Sequence, residues 1–363
     1  MKLPYLFYAA KVMTLRFLLA VFFVSVCMYC GSEASLDQES AMAKEDCMFL
    51  QKATQALYGL SPSDLSVDPL GGGFSGDHLY HLKSSSQEAV LRVHAEHKGL
   101  DDRKAECLAA KIASDLGIGP QLLYEDGDNT CFATAYAEGS PASHLVFKDS
   151  EAIRALAQSL KRLHSVCVFP REWSVFAYIR NIKIHDLSAK QTLALSYLES
   201  IEAVLNNANF PKHLCHNDIQ PNNLFVFNNN LQMIDWGDAG MADPFWDLAR
   251  SSMEFAFEPS QDKALLESYL GVVKPLDQSH FCVMKQVFLL RSAFALQGLE
   301  GEPDTSSQAL ILKILKNNDY PPLDPSTIAT WKALSAYLLD LFLNNYESIG
   351  FQETLKSIPG AAL

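Results

Sequence analysis

The sequence predicts an α+β protein of two lobes, a small β-rich lobe followed by a larger, mainly helical lobe. Short apolar and β-branched runs between turn residues fill the chain from about residue 78 to residue 136. From about residue 150 onward, apolar residues recur at helical spacing, as Ile153, Leu156 and Leu160 do. Residues 214–249 differ from both patterns and hold acidic and amide side chains around one predicted hairpin. We place the first lobe at residues 45–137 and the second at residues 138–358.

The stretch at residues 214–249 carries the clearest chemical signal. Asp218 follows His216 by two positions, and Asn223 follows Asp218 by five. A predicted hairpin, with strands at 224–227 and 231–234, then leads to Asp235-Trp236-Gly237. This spacing fits a phosphoryl-transfer site, in which Asp218 orients the attacking hydroxyl while Asn223 and Asp235 offer oxygen ligands to Mg²⁺. We expect Asp247 to brace the catalytic loop by hydrogen bonds.

Each of these residue types also has an ordinary structural use. A lone His-x-Asp pattern with a later Asn arises often by chance. Asp and Asn cap helices and populate turns, which accounts for Asn222 and for residues 228–230. That alternative does not account for the strand pair followed by a correctly placed Asp-x-Gly.

The two motifs together resemble a known superfamily. HNDIQPNNLF followed by MIDWGDAGMADPFWDLA is similar to the choline/ethanolamine kinases and aminoglycoside phosphotransferases, and is closest to the bacterial choline kinase branch. Asn217 stands where aminoglycoside enzymes usually have Gly. Gly237 and Asp238 stand where that branch usually has an acidic and then an aromatic residue. The resemblance implies a two-lobed protein-kinase-like fold, with ATP and Mg²⁺ as cofactors.

The small lobe is expected to hold the nucleotide phosphates. Gly71, Gly72 and Gly73, with Ser75, lie before a predicted strand at 78–82, where backbone N–H groups can reach phosphate oxygens. Related enzymes usually have Thr-Asn after the glycines, where this chain has Phe74-Ser75. A glycine-rich hairpin is also a common turn.

A cation and a carboxylate are expected to pair in the same lobe. Arg92 lies on a predicted buried strand at 89–93, at the place of the phosphate-binding Lys of protein kinases, and the choline kinases resemble this sequence in having Arg there. The helix predicted at 103–116 carries Glu106, which we pair with Arg92. The alternative is an ordinary surface salt bridge.

The remaining elements follow from periodicity and turn residues. Strands are predicted at 121–124 and 130–136, and residues 136–139 form the hinge between the lobes. The predicted helices start at 45–58 and continue through the second lobe at 150–165, 176–184, 189–208, 262–271, 280–299, 306–315 and 326–345. The stripe Phe281, Phe288 and Phe294 is assigned to the core.

The acceptor is expected to be a small cationic molecule. The net charge of −13 argues against nucleic acid as a partner. Aromatic faces hold quaternary ammonium groups by cation–π attraction, so Trp236, Phe245 and Trp246 are candidates for a substrate wall. Asp238 would add a balancing charge.

The N-terminal segment conflicts with this reading. Basic residues precede an apolar run at 17–30, as in an export signal, and the eight cysteines show no paired framework. The need for ATP favours the cytoplasm, and a mis-assigned start, with Met42 or Met48 as the true one, would remove the conflict. Membrane association is expected only if the segment, residues 1–40, is retained, and the sequence indicates no oligomeric state.

The sequence therefore predicts a small-molecule kinase that phosphorylates a hydroxyl of an amine-bearing acceptor, with choline or ethanolamine favoured. An aminoglycoside, a thiamine-like compound or a sugar are the alternative acceptors on the same fold. A non-catalytic kinase-like binding module is the third alternative, which the presence of Asp218, Asn223 and Asp235 disfavours.

Overall fold

The structure, a computed structural model, describes residues 46–71, 76–85, 87–227, 230–321 and 329–359. It has the predicted two-lobed architecture: one antiparallel sheet near the start of the described chain and mainly helices after it. Within the described residues, no helix has both the length and the apolar character needed to span a bilayer. The signal-like segment at 1–40 lies outside the described residues.

The small lobe is built on a sheet of strand order β1-β2-β3-β5-β4. Its strands are β1 (Ser66–Leu70), β2 (His78–Lys83), β3 (Glu88–Val93), β4 (Leu122–Glu125) and β5 (Cys131–Ala135). Arg92 on β3 lies opposite Leu79 of β2 and Phe132 of β5, so it projects from the middle of the sheet. Alternate residues of β3, including Leu91, are buried in the small-lobe core, which leaves Arg92 on the other face.

Three short strand pairings position the chemistry of the large lobe. β6 (Ser140–Pro141), β8 (Leu224–Phe227) and β9 (Asn230–Met233) form one small sheet. β7 (His213–Cys215) and β10 (Gly240–Ala242) form a second. Together they bring residues 216–223 and 234–239 side by side.

Helices make up the rest of the described chain. They are α1 (Cys47–Tyr58), α2 (Leu100–Asp115), α3 (Ser150–Leu163), α4 (Val175–Asn181), α5 (Ala189–Ala208), α6 (Pro244–Glu254), α7 (Pro259–Leu270), α8 (Pro275–Gln297), α9 (Thr305–Asn317), α10 (Trp331–Glu347) and α11 (Ile349–Lys356). α8 is central to the large lobe and packs against α6 and α10. Phe281, Phe288 and Phe294 are all buried on it, which confirms their assignment to the core.

Most element boundaries differ from the prediction by only a few residues. The helix predicted at 176–184 ends earlier, at Asn181, and the helix predicted at 280–299 begins earlier, at Pro275, since Pro at the first helical position favours a start there. Two helices, α6 and α11, were not predicted as separate elements. The predicted turn residues 228 and 229 and the predicted helix start at 326–328 lie outside the described residues.

Candidate active site

Asp218 lies in the loop between β7 and a short 3₁₀ turn, Pro221–Asn223, and its carboxylate is held on both oxygens. Oδ2 accepts hydrogen bonds from Asn223 Nδ2 at 2.7 Å and from Gln220 Nε2 at 2.9 Å. Oδ1 accepts from the guanidinium of Arg250. The side chain is buried, with the residue only 6 % exposed, so its orientation is fixed by protein groups rather than by solvent.

Asp247 holds the loop that carries Asp218. Its two oxygens accept from the backbone N–H groups of His216 and Asn217, each at 2.8 Å, and His164 Nε2 lies 3.1 Å from Oδ2. The loop needs this support because Asn217 has φ of 65°, a left-handed conformation that non-glycine residues adopt at a cost. The predicted bracing role of Asp247 is confirmed.

The Asp-x-Gly turn is tied to the same loop by two hydrogen bonds. Ile234 N donates to Asn223 O at 2.9 Å, and His216 Nε2 contacts Ile234 O at 3.0 Å. Asp235 follows directly, with φ of 63° and a side chain that is 41 % exposed. The hairpin therefore delivers Asp235 beside Asn223, and leaves its carboxylate partly open to solvent.

Arg92 reaches from the small lobe to this turn. Its Nη2 donates to Asp235 Oδ1 at 3.1 Å, while Nη1 lies 2.7 Å from Glu106 Oε1 and 3.1 Å from Asp77 Oδ2. The pairing of Arg92 with Glu106 is the one predicted from the sequence. It is not a surface salt bridge, since Glu106 is fully buried.

Two further residues of this cluster were not predicted. Lys98 Nζ lies 3.0 Å from Asp77 Oδ2 and also contacts Glu106, and Asp77 Oδ1 accepts from Ala95 N at 2.9 Å. Burial alone would raise the pKa of Asp77, but the neighbouring His94 and the charges of Arg92 and Lys98 hold it well below its usual range. A carboxylate directly after the glycine-rich turn was the available sequence signal for Asp77.

Part of the predicted phosphate loop lies outside the described residues. Gly72, Gly73 and Ser75 are among the residues that the structure does not describe, and Gly71 is exposed just after the end of β1. The loop joins β1 to β2, and Asp77 at its far end touches Arg92. The loop therefore ends, at Asp77, in the Arg92 cluster.

Several buried charged or acidic side chains of α6 and α8 lie behind Asp218. Arg250, on α6, donates to the carbonyls of Asn217 and Ile219 at 2.9 Å each, in addition to Asp218. One turn on, Glu254 is buried with neither carboxylate oxygen hydrogen-bonded to any described residue. Burial raises the pKa of Glu254 to about 8, against the lowering effect of Arg250 and Arg291.

Asp238 belongs to the same region. Its backbone carbonyl accepts from Asn217 Nδ2 at 2.9 Å, which ties the turn to the catalytic loop. Loss of hydration raises the pKa of its carboxyl to about 6, and the negative charge of Asp218 adds to the rise. Asp238 and Glu254 are thus two acidic side chains whose ionised forms a nearby cation would stabilise.

The aromatic candidates occupy different positions from those expected. Trp236 is 4 % exposed and packs on the His216 ring at 4.6 Å between centroids, while Trp246 is 1 % exposed and donates from Nε1 to Asn217 O at 3.2 Å. Phe245 is half-buried and stacks on His280 at 4.3 Å. The two tryptophans support the catalytic loop from the core side rather than forming an open wall. Trp246 does so through its bond to Asn217 O, and Trp236 through its contact with the His216 ring.

Arg250 and Glu254 were also missed by the sequence reading. With Asp247 they occupy positions i, i+3 and i+7, which lie on one face of a helix. The helix begins at Pro244, after the N-cap Asp243, whose side chain accepts from Phe245 N. Recognising Asp-Pro as a helix start would have placed all three on the side facing Asp218.

The donor set at the cleft fits a hard divalent cation. Asn223 and Asp235 supply an amide oxygen and a carboxylate oxygen, the ligand types that Mg²⁺ prefers. The bond from Ile234 N to Asn223 O brings the ends of the hairpin together, and Asp235 is open to the cleft. These two residues would hold Mg²⁺, where the ion would neutralise phosphate charge.

Comparison with known proteins gives a family match and several relatives. The model of the phosphotransferase enzyme family matches residues 66–278, more than half of the chain. Protein LicA of Haemophilus influenzae is 26 % identical over 239 residues, which are 63 % of this chain and 70 % of the relative. Mouse choline/ethanolamine kinase is 24 % identical over 226 residues, which are 54 % of this chain and 56 % of the relative.

The fold is shared with solved structures as well. A choline/ethanolamine kinase family protein from Mesorhizobium loti superposes with a TM-score of 0.61 at 22 % identity, over 86 % of this chain and 99 % of that one. The family match includes Arg92, Asp218, Asn223 and Asp235. On this evidence, the chain belongs to the phosphotransferase enzyme family, as a kinase of small molecules.

Proposed function

We propose that the protein transfers the γ-phosphoryl group of ATP to a hydroxyl of a small amine-bearing molecule, with choline and ethanolamine as the first acceptors to consider. The observation that carries the proposal is that Asp218, Asn223, Asp235 and Arg92 lie together. Asn223 donates to Asp218, Arg92 donates to Asp235, and Ile234 N, next to Asp235, donates to Asn223 O. These side chains come from both lobes, which touch through the contact of Arg92 with Asp235. The family match and the names of the relatives support the same reaction class.

Asp218 is the proposed hydroxyl-orienting group. The acceptor oxygen forms a bond to the γ-phosphorus while the bond from that phosphorus to the β–γ bridging oxygen breaks, and ADP leaves. The hydroxyl proton passes to Asp218 Oδ2, or is aligned by it as the reaction proceeds. Asn223 and Gln220 donate to this oxygen and so fix its direction.

Phosphate binding is assigned to the small lobe. Arg92 is held by Glu106 and Asp77, and it points across the cleft to Asp235. Together with backbone N–H groups of the 71–75 loop, including Gly71–Gly73 and Ser75, it would bind the nucleotide phosphates. Bound Mg²⁺ at Asn223 and Asp235 would supply charge neutralisation on the transferring group.

Recognition of the amine is assigned to acidic side chains rather than to an aromatic wall. The Glu254 carboxylate is buried and has no hydrogen bond from the described residues, and Asp238 lies close to Asp218. A buried acid with a raised pKa gains most from a cation that binds next to it. Trp236 and Trp246 hold the loop in place, and Phe245 is the one of the three that is half-exposed.

The experiment is an acceptor panel with purified protein, labelled ATP and Mg²⁺. The panel contains choline, ethanolamine, an aminoglycoside, thiamine and a sugar. We expect label on choline or ethanolamine, and none when Asp218 is replaced by Asn. Transfer only to the aminoglycoside, thiamine or sugar contradicts the proposed acceptor, while the absence of any transfer and of any Mg²⁺–ATP-dependent thermal shift indicates a binding module without activity.

A further inference from the structure

Arg291 is a buried cation that the mechanism above does not use. It lies on α8, is 2 % exposed, and has its guanidinium over the Tyr178 ring at 5.7 Å from the centroid. Its Nε and Nη2 have no hydrogen-bond partner among the described residues. Arginine stays protonated in proteins, so it cannot escape this burial by losing its charge.

The neighbours of Arg291 within the described chain leave two of its guanidinium nitrogens without a hydrogen bond. Tyr178 offers a ring face, and its buried hydroxyl also has no partner within the described chain. Glu254 is near enough for the Arg291 charge to act on it, yet the ion pair of Glu254 that the structure shows is with Arg250, at 3.4 Å. Arg291 and Glu254 are thus a cation and an acid in one region that form no ion pair with each other.

Arg250 differs from Arg291 in this respect. All three of its guanidinium nitrogens donate to the catalytic loop, to Asn217, Ile219 and Asp218. All of its donor nitrogens therefore help to hold the loop, whereas Nε and Nη2 of Arg291 have no hydrogen bond to the described residues. A guanidinium presents its donors as a planar fork, which matches the two oxygens of a carboxylate.

We propose that Arg291 binds a carboxylate of the acceptor, so that the acceptor is a small hydroxyl-bearing zwitterion whose ammonium group faces Glu254. This inference rests on the proposed function, since it refines which amine-bearing molecule is phosphorylated. Simple amino alcohols such as ethanolamine would meet the Glu254 side of the site and leave Arg291 unpaired. A hydroxy amino acid would give a partner to both buried groups, a carboxylate for Arg291 and an ammonium for Glu254.

The chemistry of transfer is unchanged by the added group. The hydroxyl of the zwitterion attacks the γ-phosphorus, the bond to the bridging oxygen breaks, and the proton goes to Asp218. What changes is how strongly the site prefers an acceptor with a carboxylate over one without it. A site built to pair a substrate group rejects the analogue without that group, because its own buried charge is then left unpaired.

The test compares acceptors that differ only in the carboxylate. Ethanolamine is paired with serine, and 3-amino-1-propanol with homoserine, with label transfer from ATP as the readout. For the wild-type protein we expect kcat/KM at least about tenfold higher for the better carboxylate-bearing acceptor than for its matched amino alcohol, which corresponds to one charged hydrogen bond. In Arg291→Met the ratio should fall to about one or below, and Arg291→Lys should restore part of it.

A matched control uses another arginine in the large lobe. Arg180, at the end of α4, is exposed and paired with Glu202 at 2.6 Å, so Arg180→Met should leave the ratio unchanged. The inference is overturned if the wild-type ratio is one or below in both pairs, or if a folded Arg291→Met protein keeps a high ratio. Either result leaves the proposal of an amine-bearing acceptor standing. Should Arg291→Met fail to fold, the wild-type ratios and Arg291→Lys decide. Transfer to neither series, with transfer to another acceptor of the panel, instead overturns the proposed function itself.

Discussion

Arg92 Nη2 lies 3.1 Å from Asp235 Oδ1, so the cation of the small-lobe sheet directly contacts the proposed metal ligand of the large lobe. The same guanidinium contacts Glu106 at 2.7 Å and Asp77 at 3.1 Å. One side chain therefore joins two acids of the small lobe to one acid of the large lobe. The contact sets the relative position of the proposed phosphate-binding and metal-binding groups.

Replacing Arg92 by Met should weaken nucleotide binding more than it lowers stability. The variant removes the cation that faces the cleft, but Lys98 still contacts both Asp77 and Glu106 and so keeps the buried acids paired. We expect KM for ATP to rise by about tenfold or more, which corresponds to about 1.4 kcal/mol or more of lost binding. Steady-state kinetics with ATP as the varied substrate measure this, with Lys111→Met, at an exposed pair with Glu125, as control. An unchanged KM would show that Arg92 does not meet the phosphates.

Replacing Asp235 by Asn should abolish metal-dependent turnover while the protein stays folded. Asn tolerates the left-handed φ of 63°, where Ala would add strain, so the variant tests the charge rather than the backbone. The expected loss in kcat is about 10³-fold or more, since a bound metal supplies several kcal/mol of charge stabilisation. Turnover at varied Mg²⁺ and a thermal melt provide the measurement. Asp186→Asn, at another left-handed and exposed position, is the matched control. Activity within tenfold of wild type would remove Asp235 from the metal site.

Replacing Asp247 by Asn should lower both stability and activity. The carboxylate accepts one backbone N–H on each oxygen, and an amide side chain has only one accepting oxygen, so one buried N–H loses its partner. We expect a loss of about 1–3 kcal/mol in the free energy of unfolding and a lower kcat from the displaced loop. Urea unfolding measures the first. Asp149→Asn, at an exposed N-cap, should cost much less. Equal losses in the two variants would contradict the bracing role.

The sequence was informative where spacing along the chain decides the contact. Asp218, Asn223 and Asp235 lie within eighteen residues of one another, and the hairpin between them is readable from turn residues. The Arg92–Glu106 pair was also accessible, because a strand and the following helix are neighbours in space. Local order of this kind needs no knowledge of the core.

The sequence was uninformative where packing of distant elements decides the contact. Arg291 meets Tyr178 across more than a hundred residues, and only the placement of α8 against α4 brings them together. The burial of Trp236 and Trp246 also depends on how distant elements pack. Aromatic rings beside a site serve equally as a wall or as support, and only their burial under the catalytic loop separates the two uses.

Replacing Glu254 by Gln should stabilise the protein at high pH and have little effect in acid. The folded-state pKa of about 8 exceeds the usual value for Glu, so the folded protein binds more protons than the unfolded chain between about pH 4.5 and 8. Stability then falls as pH rises through that window, and the Gln variant lacks this loss. We expect its melting temperature to exceed that of wild type by several degrees at pH 8, and by nothing at pH 4.

Thermal melts across this pH range measure the effect, and Glu300→Gln, at an exposed position, should run parallel to wild type. Some slope below pH 6 should remain in Glu254→Gln, because the raised pKa of Asp238, about 6, acts in the same sense. A constant difference between variant and wild type at every pH would show that the pKa of Glu254 is not raised in the folded protein, because the charges of Arg250 and Arg291 then offset its burial.

Replacing Arg250 by Lys should lower kcat with little change in KM for ATP. Arg250 acts through Asp218: three donors fix the carboxylate and the carbonyls of Asn217 and Ile219, and a lysine ammonium cannot reach all three in that geometry. The charge beside Asp218 is kept, so the buried carboxylate is not left without a cation, and the loss reports positioning. A fall of about 10²-fold in kcat is expected from a misplaced reacting group.

Because Arg250 contacts none of Arg92, Asp235 and Glu106, KM for ATP should stay within about threefold. Arg154→Lys, on the exposed face of α3, is the control. A folded Arg250→Lys protein that keeps wild-type kcat would mean that Asn223 and Gln220 alone are enough to orient Asp218, and that the fork of three bonds serves only to hold the loop.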